Sequence, residues 1–250
     1  MYYCCGITEK GVMPHNEDAM LIGKLVADSG ASEQMLEAPF IAAVSDGVSG
    51  ERSGEIASRM CLELLRNVRY SKKVKLQQRL NEIHKQLADY GRESNETLNM
   101  QATLCGIAVD ENDRIHTINA GDSRLYRFRG GKLRQISRDQ SLVQLLYEEG
   151  SITREERRTH VHRNIIFPVL GNVSSDPKIE IIPLEGGMAY GDILLLCTDG
   201  LSDYLSPLDM EEILELPKSL PKRLEFLVKK ALERGCTDNI TVVAVVYCEK

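Results

Sequence analysis

Short apolar runs alternate with polar turns along most of the chain. β-Branched and apolar residues fill positions 40–44 (FIAAV), 193–197 (ILLLC) and 241–247 (TVVAVVY). Runs of this length and composition predict buried strands. Four further runs, at residues 104–109, 114–118, 125–128 and 132–136, are separated by turn sequences such as Gly130-Gly131. They predict a strand meander.

Three segments have apolar residues at helical spacing instead. Two lie between residues 44 and 104, and a third is predicted over residues 222–233, directly after Pro221. The first two carry the following stripes: Ile56, Met60, Leu64 with Ala57, Cys61, Leu65, and then Leu76, Leu80, Ile83, Leu87. The order of strands, two helices, strands, helix and strand has no βαβα alternation. It predicts mostly antiparallel sheets with helices packed outside them.

Composition and charge exclude several classes of protein. The 250 residues are 42% hydrophobic and 27% charged, as in ordinary globular proteins, and the net charge of −6 disfavours nucleic-acid binding. We expect a single domain. No apolar run approaches the roughly 20 residues that span a bilayer, and the first residues do not resemble a signal peptide.

The seven cysteines include no C-x-x-C pair, and several lie in apolar runs. This predicts reduced cysteines that serve as small core residues, and therefore a cytoplasmic protein.

Acidic residues fall repeatedly at the ends of predicted strands. The runs before Asp46-Gly47 and Asp199-Gly200 share one design, in which an apolar strand ends in Asp-Gly. We expect each glycine to let the backbone turn sharply and approach a ligand closely. Asp238 stands just before the last strand, and Asp122 lies in a predicted tight turn. Asn16-Glu17-Asp18 precedes another apolar run, at residues 19–22.

A single Asp-Gly after a strand is usually only a turn. Several carboxylates that converge would repel one another unless a cation neutralised them. Because these ligands are all oxygen, with no histidine or cysteine among them, the pattern favours Mg²⁺ or Mn²⁺. Calcium stays open as an alternative, although there is no EF-hand sequence.

Seven short motifs give the chain a resemblance to a known family. In chain order they are NEDA (16–19), SDGVSGE (45–51), GEIAS (54–58), NAGDSR (119–124), RDQSLV (138–143), CTDGLSD (197–203) and TDNITVV (237–243). In this order they resemble the metal-dependent protein phosphatases of the protein phosphatase 2C class, in the bacterial serine/threonine form. The resemblance covers essentially the whole chain.

The resemblance implies an α+β fold, a four-layer αββα sandwich of two mostly antiparallel sheets flanked by helix pairs. It also implies two Mn²⁺ or Mg²⁺ ions at one edge of the sandwich, with a looser third ion. Asp46 resembles the carboxylate that bridges the first two ions. The Gly47 carbonyl and either Glu17 or Asp18 would serve one ion, and Asp199 and Asp238 the other. Asp122 resembles the acid that holds the third ion with Asp199.

Two positions depart from the family pattern. The family usually has an arginine five residues before Asp18 that contacts the substrate phosphate, and here that residue is Met13. Methionine cannot replace a bidentate guanidinium, so His15 or an arginine from elsewhere would have to help. Some relatives have a histidine as proton donor where this chain has Val48.

Residues 148–171 resemble a flap beside the active site, and they are locally basic. Such arginines are most often solvated charge, but one of them could dock the substrate phosphate, because loops beside a rigid scaffold often select substrates. His160 and His162 are interpreted as surface residues. The four arginines are Arg154, Arg157, Arg158 and Arg163.

The resemblance predicts a metal-dependent phosphatase that removes phosphate from serine and threonine residues of other proteins. In the family's reaction, water activated by the metal pair attacks the phosphorus directly. Its partners would be phosphoproteins, including substrates of a cognate serine/threonine kinase, and we expect a monomer. Three alternatives stay open: an inactive relative that binds phosphoproteins as an adaptor, a two-metal hydrolase of small phosphate esters, and a calcium-stabilised structural protein.

Overall fold

A computed structural model describes residues 1–48, 53–68, 70–71 and 73–248. The predicted motif at 45–51 is described only through Val48, because residues 49–51 lie outside this part of the chain. All the strand pairs that the structure describes are antiparallel. The strands are β1 (Tyr2–Glu9), β2 (Asp18–Ile22), β3 (Leu25–Ala27), β4 (Gly30–Leu36), β5 (Phe40–Val48), β6 (Gln101–Ala102), β7 (Leu104–Val109), β8 (Ile115–Ala120), β9 (Arg124–Arg129), β10 (Lys132–Gln135), β11 (Glu180–Pro183), β12 (Ile193–Cys197) and β13 (Ile240–Tyr247).

These strands form two sheets. The first sheet has the order β10-β9-β12-β13-β1-β4, and the second has the order β11-β8-β7-β5-β2-β3, with β6 paired to the end of β5. The buried side chains of both sheets fill the space between them, among them Tyr2, Met20 and Phe40. Burial of β-branched and aliphatic side chains on both sides of this layer is the main stabilising term of the fold.

Helices cover the outer face of each sheet. Helices α1 and α2 pack outside the second sheet, and α5, α6 and α7 pack outside the first. The predicted αββα sandwich is therefore confirmed. The helices are α1 (Gly54–Arg66), α2 (Leu76–Gly91), α3 (Leu142–Glu148), α4 (Arg154–Thr159), α5 (Asp199–Ser202), α6 (Pro207–Leu214) and α7 (Leu220–Glu233).

The helical stripes bury the faces that their spacing predicts. Ala57, Cys61 and Leu65 of α1 are fully buried, whereas Ile56 remains about one-third exposed. Helix α7 begins at Leu220 with proline in its first turn, close to the predicted start. All seven cysteines are unpaired, and six of them are buried, as predicted for core residues.

The predicted meander is wrong. Strands β7 and β8 pair in the second sheet, whereas β9 and β10 pair in the first, so the chain changes sheets between β8 and β9. The crossing occurs at Gly121, whose φ of +112° is unfavourable for other residues. A hydrophobic pattern reports which residues are buried, but it does not report which of two facing sheets a strand joins.

Candidate metal centre

Two of the predicted site residues face each other across a strand pair. Strands β2 and β5 are antiparallel, and Asp18 is the direct partner of Asp46. Directly opposite residues in such a pair have α-carbons about 4.5–5.5 Å apart. The Gly47 N–H donates to the Glu17 carbonyl oxygen at 3.0 Å, which extends the ladder by one step. The backbone pairing therefore brings all four residues to one end of these two strands.

Gly47 does not turn the chain as the sequence suggested. Strand β5 continues through Val48 and pairs there with β6. The glycine is needed for close packing instead, because a β-carbon at Gly47 would lie 2.0 Å from the Gly54 carbonyl oxygen. Helix α1 can therefore begin directly against the strand end only because neither residue has a side chain. The second Asp-Gly pair does not form a turn either, because Asp199 and Gly200 are the first two residues of helix α5.

The close approach of Gly54 brings two oxygen atoms together. The Glu17 Oε2 atom and the Gly47 carbonyl oxygen lie 2.5 and 2.7 Å from the point that a Gly54 β-carbon would occupy. A carboxylate oxygen and a backbone carbonyl oxygen are the ligand types that hard divalent cations prefer. The Gly47 carbonyl and Glu17, one of the two acids that the resemblance offered for the same ion, therefore converge.

Asp46 and Asp122 are linked through hydroxyl groups. The Asp46 N–H donates to Thr103 Oγ1 at 2.9 Å, and that hydroxyl is 2.8 Å from the Ser123 hydroxyl. Ser123 follows Asp122 in the segment where the chain crosses between the sheets. This network connects the end of β5 to the crossing segment and places Asp122 near Asp46.

Asp18 is held from the opposite sheet. The Thr198 hydroxyl, at the end of β12, donates to Asp18 Oδ2 at 2.7 Å. The Thr241 N–H donates in turn to Thr198 Oγ1 at 3.0 Å. These contacts join the two sheets at the edge where Asp199 follows Thr198. Asp18 is almost fully buried, at 2% exposed.

Asn239 ties the amino-terminal loop to the start of β13. Its Oδ1 atom accepts a hydrogen bond from the Glu17 N–H at 2.8 Å. Its Nδ2 group donates to the carbonyl oxygens of Lys10 and His15 at 3.0 and 2.9 Å. Since Asn239 directly follows Asp238, one buried amide sets the relative positions of Glu17 and Asp238.

Burial and mutual repulsion raise the pKa of the clustered carboxyl groups. Burial raises the pKa of Asp18 to about 7, although hydrogen bonds from threonine hydroxyls oppose the change. Burial also raises the pKa of Asp46 well above its usual range, and the negative charge of Asp199 adds to it. For Asp199 the causes are burial and then the charges of Asp122 and Asp203. These groups ionise together at neutral pH only if positive charge is supplied.

The predicted site residues thus gather at one edge of the sandwich. The charges of Asp18, Asp122, Asp199 and Asp238 all act on Asp46, and that of Asp238 acts on Glu17. Within the described part of the chain, no three His, Cys, Asp or Glu side chains form a ready-made ligand group. A bound ion would therefore need backbone oxygen or water to complete its shell, as Mg²⁺ commonly does.

Several residues of this edge were not predicted as site residues. Asp203 lies one helical turn after Asp199. Burial is the main cause of the raised pKa of both Asp199 and Asp122, and the charge of Asp203 adds to it. Its spacing of four residues from Asp199 was a usable signal. Thr103, Thr198 and Asn239 gave no such signal, because their roles depend on contacts between strands far apart in the sequence.

The flap segment contains one short helix, α4, beside a cleft of about 200 Å³. His162 is exposed and His160 is half-buried. The cleft is bounded by residues of the flap and of the acidic edge: Arg158, Arg163, Asn164, Asp199, Gly200, Asp203, Tyr204, Thr237 and Asp238. No helix in the described residues is long and apolar enough to cross a membrane.

Known proteins resemble this chain in both sequence and fold. Residues 22–234 match the family model described as Protein phosphatase 2C. The chain is 32% identical to the serine/threonine phosphatase stp of Listeria welshimeri over 248 residues, covering 95% of this chain and 93% of the relative.

Solved structures show the same fold. The serine/threonine phosphatase Stp1 from Staphylococcus aureus superposes with a TM-score of 0.82 at 27% identity, covering 100% of this chain and 96% of that one. The catalytic domain of the serine threonine protein phosphatase PstP, solved in complex with two manganese ions, gives a TM-score of 0.79 at 28% identity with both chains fully covered. The family model spans well over half of the chain, and the relatives align along nearly all of it, so this chain belongs to the protein phosphatase 2C family.

Proposed function

We propose that this protein is a metal-dependent protein serine/threonine phosphatase, which hydrolyses phosphoserine and phosphothreonine at a centre of two Mn²⁺ or Mg²⁺ ions. The observation that carries the proposal is the convergence of Asp18, Asp46, Asp199 and Asp238 at one sheet edge in a member of this family. The donor set fits the ions, because it consists of buried carboxylates that repel one another and lie beside a backbone carbonyl.

The contacts of Glu17 and Asp18 favour one assignment of the ligands. Asp18 Oδ2 already accepts a hydrogen bond from Thr198, whereas Glu17 Oε2 lies beside the Gly47 carbonyl oxygen. We therefore propose Glu17 as the direct ligand that acts with Gly47, and Asp18 as the acid that orients water at this ion. Asp46 would bridge the two ions.

The remaining acids come from the other sheet and the crossing segment. Asp199 and Asp238 would hold the second ion, and Asp122 with Asp199 the third. Asp203 lies close enough to share that role, since its charge acts on both of these groups.

When bound, the metal ions would lower the pKa of the attacking water and neutralise charge on the phosphoryl oxygens. The chain's own contribution is to fix the ions with carboxylates on rigid strand ends, so that little reorganisation accompanies the reaction. A cysteine nucleophile is not supported. Cys236, which donates to the Gly200 carbonyl oxygen beside the cleft, is buried, and burial raises its pKa to about 11.

Phosphoproteins are the proposed substrates, including those of a cognate serine/threonine kinase. The seven unpaired cysteines support a reducing, cytoplasmic location. We also propose a monomer, which light scattering coupled to size-exclusion chromatography would check.

The function can be tested with a phosphothreonine peptide, with and without Mn²⁺. We expect turnover that requires the metal, that is lost in Asp46→Ala and that is kept in Asp89→Ala, a matched change at an exposed carboxylate paired with Arg92. Metal-independent turnover, or an active Asp46→Ala variant, would overturn the mechanism. Faster hydrolysis of nucleotides than of the peptide would indicate a small-ester hydrolase, and peptide binding without turnover would indicate an adaptor.

A further inference from the structure

The flap contributes two arginines to the cleft at the acidic edge. Arg158 and Arg163 line the same cleft as Asp199 and Asp238. A phosphate group in this space would lie close both to guanidinium groups and to proposed metal ligands. The family resemblance implies a phosphate-binding arginine at the position of Met13, and here such a guanidinium would have to come from another segment.

Arg158 is held in a defined position in the cleft. Its Nη2 group donates to the Asp203 carbonyl oxygen at 2.9 Å, which ties the flap to the end of helix α5. That bond uses one of the five N–H donors of a guanidinium, so the group keeps donors for a ligand. Burial raises the pKa of the Asp203 carboxyl group, and the charges of Arg158 and Arg163 partly oppose this, as expected for guanidinium groups near the acidic edge.

Arg157, the residue before Arg158, anchors the flap helix α4. The Arg157 Nη2 group donates to Asp139 Oδ2 at 3.3 Å, and the guanidinium carbon lies 5.4 Å from the centre of the Tyr147 ring. The Arg157 side chain is only 16% exposed and Asp139 only 3%. A half-buried guanidinium that is both paired and stacked is a strong attachment for a six-residue helix.

Asp139 connects this attachment to the acidic edge. It also accepts hydrogen bonds from Arg124, at distances of 2.7 to 3.0 Å. The Arg124 Nη1 group donates in turn to the Ser202 carbonyl oxygen at 3.1 Å, at the last residue of α5. One buried carboxylate therefore fixes both the flap helix and the helix that begins at Asp199.

We propose that Arg158 binds the phosphate of the substrate in place of the arginine absent at position 13, and that Arg157 is a positioning residue that holds it there through Asp139. This inference rests on the proposed phosphatase function. It assigns the two neighbouring arginines different tasks: Arg158 touches the substrate, and Arg157 does not.

Steady-state kinetics on a phosphothreonine peptide with saturating Mn²⁺ tests the assignment. Charge-assisted hydrogen bonds to phosphate are among the stronger ones, so we expect Arg158→Gln to raise KM at least about tenfold with a smaller change in kcat. Arg154→Gln is the matched control, since Arg154 is an exposed arginine of the same helix that does not line the cleft. It should behave as the wild type.

The double variant separates positioning from direct contact. Arg157→Gln should also raise KM, and Arg157→Gln/Arg158→Gln should be no worse than Arg158→Gln alone, because both changes remove one contact. Additive effects of the two single changes would overturn the positioning role of Arg157. Circular dichroism and melting temperature of each variant would show that the fold is kept.

A binding measurement complements the kinetics. Fluorescence anisotropy of a labelled peptide carrying a non-hydrolysable phosphonate should give a Kd that is raised in Arg158→Gln and unchanged in Arg154→Gln. Equal Kd and KM values for these two variants would refute the role of Arg158, even if the wild type is fully active. Absence of Mn²⁺-dependent turnover in the wild type would instead refute the proposed function.

Discussion

Replacing Gly54 by alanine sets two physical effects against each other. Gly54 begins helix α1, and glycine-to-alanine changes in helices ordinarily stabilise a protein by about 0.4–1 kcal/mol. Here the new β-carbon would lie 2.5 Å from Glu17 Oε2 and 2.7 Å from the Gly47 carbonyl oxygen. Ordinary carbon–oxygen contacts are about 3.3 Å or longer, so these oxygen atoms would have to move away from the new β-carbon by roughly 0.6–0.8 Å.

The steric effect should win. Overpacking of this kind costs roughly 1–3 kcal/mol, and the Gly47 oxygen belongs to a paired strand that cannot rotate away. We therefore expect net destabilisation of about 1–2 kcal/mol. Because both displaced oxygens are proposed ligands of one ion, we also expect Mn²⁺ affinity to fall about 10- to 100-fold, as when groups that orient ligands are removed.

Urea unfolding in the presence of a chelator would give the stability change, and isothermal titration calorimetry would give the Mn²⁺ affinity. Gly91→Ala is the matched control, since Gly91 ends helix α2 and its nearest contact to a new β-carbon is 3.2 Å. That variant should bind Mn²⁺ as the wild type does. A Gly54→Ala protein with unchanged affinity would refute the convergence of Glu17 and Gly47 on one ion.

Two further changes probe the supports of the site, and a third probes a buried carboxylate at the opposite end of β12. Asn239→Ala removes the acceptor of the Glu17 N–H and should cost about 2–4 kcal/mol in urea unfolding, with weaker Mn²⁺ binding by calorimetry. Thr198→Val keeps the side-chain volume but removes the hydroxyl that donates to the buried Asp18 carboxylate. The melting temperature of this variant in chelator should therefore fall, and an unchanged melting temperature would contradict the supporting role of Thr198. Burial raises the pKa of Asp192, but hydrogen bonds from Arg129 and a backbone N–H outweigh it, so the pKa lies below its usual value. The stability that the Asp192 carboxylate contributes is therefore present above about pH 3.9 and is lost as the pH falls further. The difference in unfolding free energy between the wild type and Asp192→Asn should accordingly shrink from pH 6 to pH 3.

The sequence allowed much of this architecture to be predicted, because the periodic signals are local. Strand β12 was predicted at its observed bounds, and the stripes of α1 and α2 bury the expected faces. The predicted meander was wrong, because the four runs have similar sequences and none of them indicates which sheet its strand joins. The strands β1 and β4 were missed, the first because its Tyr2-Tyr3-Cys4-Cys5 start does not alternate, and the second because polar residues dominate it.

The acids proposed as ligands could be recognised from motifs, whereas the residues that support them could not. Asp46 and Asp199 stand out because each ends an apolar run followed by glycine. Asn239 and Thr198 act through hydrogen bonds to residues more than 150 positions away, at Glu17 and Asp18. No local pattern encodes such a contact, and it becomes visible only when the sheets are assembled.

The pairing of β1 with β13 has a consequence for synthesis in the cell. These strands lie side by side in the first sheet although they are the first and the last along the described chain. While the chain emerges from a ribosome, β1 lacks its neighbour and exposes an unpaired edge of the kind that invites aggregation. Asp238 also lies more than 200 positions after Glu17. The acidic edge therefore cannot assemble until residue 238 has left the ribosome, and a shorter nascent chain should have no phosphatase activity.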